Sequence, residues 1–121
     1  MSRINIGDED ENGIVFWVDE TGEHGLIAAK KDISGEADWN EAMEFCNACK
    51  IGGHNNWRLP TDEELNLLFL QKDIVGSFVR FSYWSATEYA SHFAFFQHFL
   101  SGERDNDFKD NTCYVRAIRS F

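Results

Sequence analysis

The stretch Gly52-Gly53-His54-Asn55-Asn56-Trp57-Arg58-Leu59-Pro60-Thr61-Asp62-Glu63-Glu64-Leu65 constrains the fold more than any other, because it fixes where a helix begins. Thr61 can accept a hydrogen bond from the amide three residues on, and Glu64 can reach back to the amide of Thr61, which makes a capping box. Asp62 and Glu63 place negative charge where the helix dipole favours it. Pro60 stands just outside, where a missing N–H breaks no ladder. Leu65, Leu68 and Phe69 then recur at helical spacing, with Leu59 close before the cap. Residues 51–60 therefore read as a loop and 62–72 as a helix.

A second capping box, Asp38-Trp39-Asn40-Glu41, precedes Trp39, Ala42, Met43, Cys46 and Cys49 on one stripe, which predicts an amphipathic helix over 39–50. Ile14 to Val18 and Leu26 to Ala29 read as a strand pair about the turn Asp19-Glu20-Thr21-Gly22-Glu23. Residues 73–82 read as irregular. Phe93 to Leu100 is apolar on nearly both faces, as in a sheet covered on two sides. Ser101-Gly102 reads as a hairpin turn, residues 103–111 as a charged, solvated hairpin, and Thr112 to Ser120 as a closing strand. Strands, then two helices, then strands is an α+β order.

These segments resemble a bacterial domain-of-unknown-function family named after the C-terminal domain of a collagen-like adhesin, the Lcl C-terminal domain. Asn56-Trp57-Arg58-Leu59-Pro60-Thr61 carries the resemblance first. Gly13 to Asp19 and Glu23 to Ala29 look like the family's opening strands. Tyr83-Trp84-Ser85-Ala86-Thr87-Glu88-Tyr89 looks like its tryptophan-serine segment, and Asn111 to Arg119 like its closing strand. The resemblance implies a C-type-lectin-like fold, shared with formylglycine-generating enzymes. Two helices would pack on a twisted, mostly antiparallel sheet with a loop-rich second lobe, and the first and last strands would lie side by side. It also implies a cell-surface or secreted setting. No apolar signal region follows Met1-Ser2-Arg3, so a cytoplasmic setting stays open.

The chain has 121 residues, one domain's worth, with 43% hydrophobic residues. We divide it into an acidic arm, 1–12, and a single domain, 13–121. The net charge is -10, and seven acids fall between Asp8 and Glu23 without a base. That field repels phosphate backbones and argues against nucleic-acid partners. No run is long enough to span a bilayer, so membrane insertion is not expected. Oligomeric state is not legible.

Three cysteines, Cys46, Cys49 and Cys113, are too few for a disulfide framework. Cys46 and Cys49 fall on the apolar stripe of the first helix, which suits buried, inert thiols. The lectin-like resemblance implies the alternative, a bridge from Cys46 or Cys49 to Cys113. Catalysis is not expected. Ser85 lacks the glycines of a nucleophile elbow. His24, His54, His92 and His98 are scattered. The paired cysteines lie on a helix, unlike those of the formylglycine-generating relatives. No cofactor is called for. Calcium is the one ion the residues suggest, through Asp105, Asp107 and Asp110 near Glu103 and Asn106.

The candidate ligand-binding residues are Glu88, Tyr89, His92, Gln97, Arg104, Asn106, Asp107 and Asn111. Amides, hydroxyls and carboxylates among aromatic rings suit sugar hydroxyls or a protein surface. The resemblance puts the binding face of lectin-like domains in the same late strands. The leading expectation is thus non-enzymatic recognition or adhesion, with a glycan or protein as ligand. The alternative is a structural module of a larger envelope protein with no small ligand. Trp39, Trp57 and Trp84 read as core anchors. Arg116 and Arg119, three apart, should face opposite sides of one strand, with one of them buried against a carboxylate. Arg58, between Trp57 and Leu59, invites a similar partner.

Overall fold

The computed structural model describes residues 4–9 and 13–121. The architecture is α+β, with eight strands, three α-helices and a 3-10 turn among the described residues. In chain order these are β1 (Ile14–Val18), β2 (Gly25–Ala28), β3 (Ser34–Ala37), α1 (Trp39–Ala48), the 3-10 turn Ile51–Gly53, α2 (Asp62–Leu70), α3 (Lys72–Val75), β4 (Ser82–Ala90), β5 (Phe93–His98), β6 (Arg104–Phe108), β7 (Cys113–Val115) and β8 (Ile118–Ser120). One sheet has the order β1-β2-β8 and the other β3-β7-β4-β5-β6. Every pairing is antiparallel except β4 with β7. The closing strand lies beside β2, not beside β1 as the resemblance implied.

Both capping boxes form. Asp38 and Thr61 each accept the amide three residues on, and Glu41 and Glu64 each return a carboxylate oxygen to the cap amide. The helices stop sooner than the apolar stripes predict. Cys49 leaves helical geometry (φ -66°, ψ 133°), and Gly52 and Gly53 then turn through positive φ, ending α1 at Ala48. Gln71 (φ -111°, ψ 18°) bends the chain after Leu70, so 72–75 forms a separate one-turn helix inside the segment read as 62–72 helix and 73–82 irregular. The predicted two helices become three. Two strands go beyond the sequence reading. β3 takes the edge beside β7. β6 pairs with β5 over residues 104–108, so this part is a sheet edge rather than a solvated hairpin. Its charged side chains discourage further strands from adding there.

Residues 4–9, which the sequence reading places in the acidic arm, are tied to the body. Gly7 N donates to Val15 O, Val15 N to Asp8 O, and Ile4 N to Gly22 O. The remainder of the arm, 1–3 and 10–12, lies outside the described residues. Gly13 is a close approach: a Cβ there would collide with the Ala28 carbonyl and the Ile27 side chain. No described helix is long and apolar enough to cross a membrane.

Two cores flank the larger sheet. One gathers Trp39, Ala42, Cys46, Trp57, Leu59, Trp84, Ala94 and Val115; the other gathers Phe16, Leu65, Leu68, Tyr83, Phe99 and Ile118. The three tryptophans are core anchors, each with its indole N–H satisfied: Trp39 by Ser85 O, Trp57 by Ile51 O and Trp84 by Ala37 O. The cysteines are free thiols, and the bridge to Cys113 is absent. Burial pushes Cys46 up to about 12, helped by nearby Cys49. Burial does the same to Cys113, to about 12, aided by Asp107 and Glu36. Both stay protonated at neutral pH and are chemically quiet.

The arginines divide differently from the sequence expectation. Arg116 falls between β7 and β8, which belong to different sheets, so Arg116 and Arg119 do not share one strand. Arg116 is the buried, paired one, against Asp32. Arg58 forms a two-pronged pair with Glu64 at 2.6 and 2.7 Å, while its backbone exchanges both hydrogen bonds with Ile118. Glu64 thereby joins a helix cap to an ion pair. Burial raises its carboxyl, but the Arg58 hydrogen bonds, the Thr61 amide and the guanidinium charge outweigh this and bring it below the ordinary range. A carboxyl lowered on folding stabilises above its unfolded value, about 4.3 for Glu, and loses that contribution as pH falls through the folded value. Glu64→Gln should therefore cost on the order of 1 kcal/mol at pH 7. The gap from wild type should close as pH falls toward 3. Melting curves from pH 7 to pH 2.5 check this, and a gap that widens on acidification would refute it.

Candidate functional site

β4, β5 and β6 place most of the candidate binding residues. Along β5, Phe93, Phe95 and Gln97 share one face, and Ala94, Phe96 and His98 share the other. Register puts Phe108 opposite Phe93, Asn106 opposite Phe95 and Arg104 opposite Gln97. One face of the β5–β6 pair thus carries Phe93, Phe95, Gln97, Arg104, Asn106 and Phe108. The opposite face carries Ala94, Phe96, Asp105 and Asp107. Sheet covering is two-sided, as Phe93 to Leu100 suggested, but incomplete. Ala94 and Phe96 pack in the first core. On the other face α2 meets the Gln97 end, through Asn66 and Asp62.

The other end is aromatic and half-buried, with two exposed rings at its margin. Tyr89 is 61% exposed and Phe108 54%. The Tyr89 ring stands edge-on to Phe93 and Phe95, with centroids 6.4 and 5.5 Å away at 89° and 90°. Phe93 and Phe108 lie 4.5 Å apart, tilted by 37°. Edge-to-face rings hold one another in place, so the patch is preorganised. Asn106 and Arg104 border it. Arg104 donates to Asp62 at 2.8 Å, whose other carboxylate oxygen, Oδ1, is buried without a hydrogen-bond partner.

The other candidates divide as follows. Gln97 is 1% exposed, and its amide nitrogen donates to Asn66 and to Gly102 O, so it is turned away from any surface ligand. Its carbonyl oxygen is a second buried acceptor without a partner. Glu88 holds Lys109 Nζ at 2.7 Å, and that ammonium lies 4.4 Å from the Trp39 ring centre. Asn111 donates to Asp107 at 2.8 Å. His92 is exposed in the β4–β5 turn, where its carbonyl accepts from Lys109 N. Tyr89, Arg104 and Asn106 are therefore brought together, and Glu88, Asp107 and Asn111 lie on the opposite side.

Asp105 and Asp107 face the same way along β6, but each accepts a neighbouring backbone amide, from Asn106 and Phe108. Asp110 follows in the turn after the strand. Among the described residues, no group of three or more His, Cys, Asp or Glu side chains is placed to hold a metal ion. Ser85 is buried and donates to Phe95 O, a structural bond across β4 and β5. Phe93, Phe95 and Phe108 were not singled out from the sequence. The signal was there: Phe93-Ala94-Phe95 alternates ring and small residue opposite a strand too polar to cover the rings.

No curated protein matches the chain. The sequence model of the Lcl C-terminal domain matches residues 9–119, nearly the whole length. The chain belongs to the Lcl C-terminal domain family.

Proposed function

We propose that this member of the Lcl C-terminal domain family is a non-enzymatic recognition module of a larger cell-surface protein, with a C-type-lectin-like fold, and that it binds a neutral glycan on the β4–β6 face. One observation carries the reading: the exposed Tyr89 and Phe108 rings, packed against half-buried Phe93 and Phe95 on a sheet and bordered by Asn106 and Arg104. Sugar rings present C–H faces that stack on aromatic carbon and hydroxyls that bond to amides and guanidinium groups. A net charge of -10 disfavours sulfated or otherwise anionic chains.

The test is binding to an array of neutral and sulfated glycans, followed by calorimetry on any hit. Tyr89→Ala with Phe108→Ala should weaken a neutral glycan at least tenfold, about 1.4 kcal/mol, because both rings face solvent. The melting temperature should hardly move. Retention of sulfated glycans only, or binding indifferent to the double substitution, would overturn the reading. The second reading is a structural module without a small ligand. It draws on the internal pairing of Arg104, Glu88 and Asn111, which leaves fewer polar groups for a ligand.

A further inference from the structure

Arg119 differs from the other two arginines near it. Arg116 donates four hydrogen bonds through its guanidinium and Arg58 donates three. Arg119 is 8% exposed, yet its guanidinium meets no acceptor among the described residues, and its Nε is buried without a partner. Its guanidinium lies over the Trp57 ring, centred 5.7 Å away. Its two terminal nitrogens are neither bonded among the described residues nor buried, so an unpaired guanidinium on the wall of a pocket is open to an anion there.

The surroundings say what kind of anion. Arg119 lies opposite Ile27 on β2, and Ile27 opposite Val15 on β1. This row forms part of a pocket of about 300 Å³, which Ile4, Gly13 and Phe121 also line. That volume is at the small end of ligand sites. Asp8 and Glu9 line it too. Neither is committed to Arg119: Asp8 accepts the Asn5 amide at 2.9 Å and Glu9 faces Lys30 at 3.5 Å. The pocket therefore offers a planar donor fork for a carboxylate, an aliphatic wall, and a pair of carboxylates that attract a cation.

We infer that this pocket is a binding site for a zwitterionic aliphatic α-amino acid, with the carboxylate on Arg119, the ammonium toward Asp8 and Glu9, and the side chain against Val15 and Ile27. It lies on the β1-β2-β8 sheet, apart from the aromatic patch on β4 to β6. A lone anion would be repelled by Asp8 and Glu9, and a lone cation by Arg119. Only a ligand carrying both charges satisfies both ends.

The test is calorimetric titration of the whole chain with L-leucine, 4-methylpentanoate and leucinamide, which separate the two charges. Saturable binding of leucine is expected, with the two single-charge probes at least tenfold weaker. Arg119→Met should abolish it, and Arg119→Lys should weaken it at least tenfold while keeping the charge. Asp8→Asn with Glu9→Gln should weaken leucine but not 4-methylpentanoate. The Tyr89→Ala, Phe108→Ala variant should bind leucine normally, which separates this site from the glycan reading. Failure of wild type to bind leucine, or equal binding of leucine and 4-methylpentanoate, would overturn the proposal. Because both outcomes are read on wild type, misfolding of a variant cannot obscure them.

Discussion

Replacing Arg116 by Ala should cost about 3–5 kcal/mol, a large part of the 5–15 kcal/mol that holds a domain together. Arg116 is 1% exposed and sits where β7 gives way to β8. Its Nε donates to Asp32 at 2.9 Å, while its other nitrogens donate to the carbonyls of Ala29, Gly76 and Ser77. Phe78 stacks on the guanidinium with its ring centre 4.0 Å away. One side chain thus ties the end of the first sheet to the turn after α3. That turn includes Ser77, a non-glycine residue at φ 62°, which persists only when its surroundings hold it. Removing Arg116 also leaves Asp32 as a carboxylate with 15% side-chain exposure and, among the described residues, only the Tyr83 hydroxyl as donor.

Controls can separate charge from geometry. Arg116→Lys keeps the charge but cannot reach four acceptors from one nitrogen, so it should recover less than half of the loss. In a cycle with Asp32→Asn the double substitution should cost less than the sum of the singles, because neither leaves the other's charge stranded. Urea melts at pH 7 measure the three single variants and the double. A cost below about 1 kcal/mol for Arg116→Ala would mean that water replaces the network, and the structural role would fall.

What could be read in advance follows the range of the interactions. Capping boxes span three residues, so Thr61 with Glu64 and Asp38 with Glu41 were visible in the sequence. The pairing of Arg116 with Asp32 spans 84 positions, and only the need for some carboxylate was legible. β3 escaped because Ser34-Gly35-Glu36-Ala37 has no alternation; it becomes a strand because β7 offers an edge. β6 escaped because an edge strand is free to be charged, and Arg104-Asp105-Asn106-Asp107-Phe108 looks like a loop when its neighbour is unknown. The same gap explains the site. Gln97 reads as a surface amide until Asn66 of α2 is placed over it. Phe93 and Phe95 read as core, yet the folded sheet leaves both half-buried. Arg119 reads like Arg116 until the sheets separate. Polar residues show what chemistry is available, but exposure is decided by the element that covers each face.

Trp84→Ala should rank beside Arg116→Ala, again at about 3–5 kcal/mol, for a different reason. Trp84 is 0% exposed at the centre of the first core, on a strand with neighbours on both sides. Its indole N–H donates to Ala37 O on β3 at 2.9 Å, and next along the chain Ser85 O accepts the indole N–H of Trp39 at 2.9 Å. Two tryptophans therefore interlock, one reaching from β4 to the sheet edge and one from α1 to β4. Truncation to Ala removes the ring's packing and leaves a cavity that a sheet between two cores cannot collapse. It also orphans the Ala37 carbonyl. Trp84→Phe separates the two terms: it keeps most of the apolar volume but not the donor, and should cost about 1–3 kcal/mol. For a domain this size each kcal/mol lowers the melting temperature by roughly 4 °C, so Trp84→Ala should melt about 12–20 °C below wild type. Trp84→Phe should melt well above Trp84→Ala. If the two melt together, the hydrogen bond to Ala37 carries the loss, and the edge strand β3 depends on that one donor. If Trp84→Phe is neutral, packing alone holds β3 against β7.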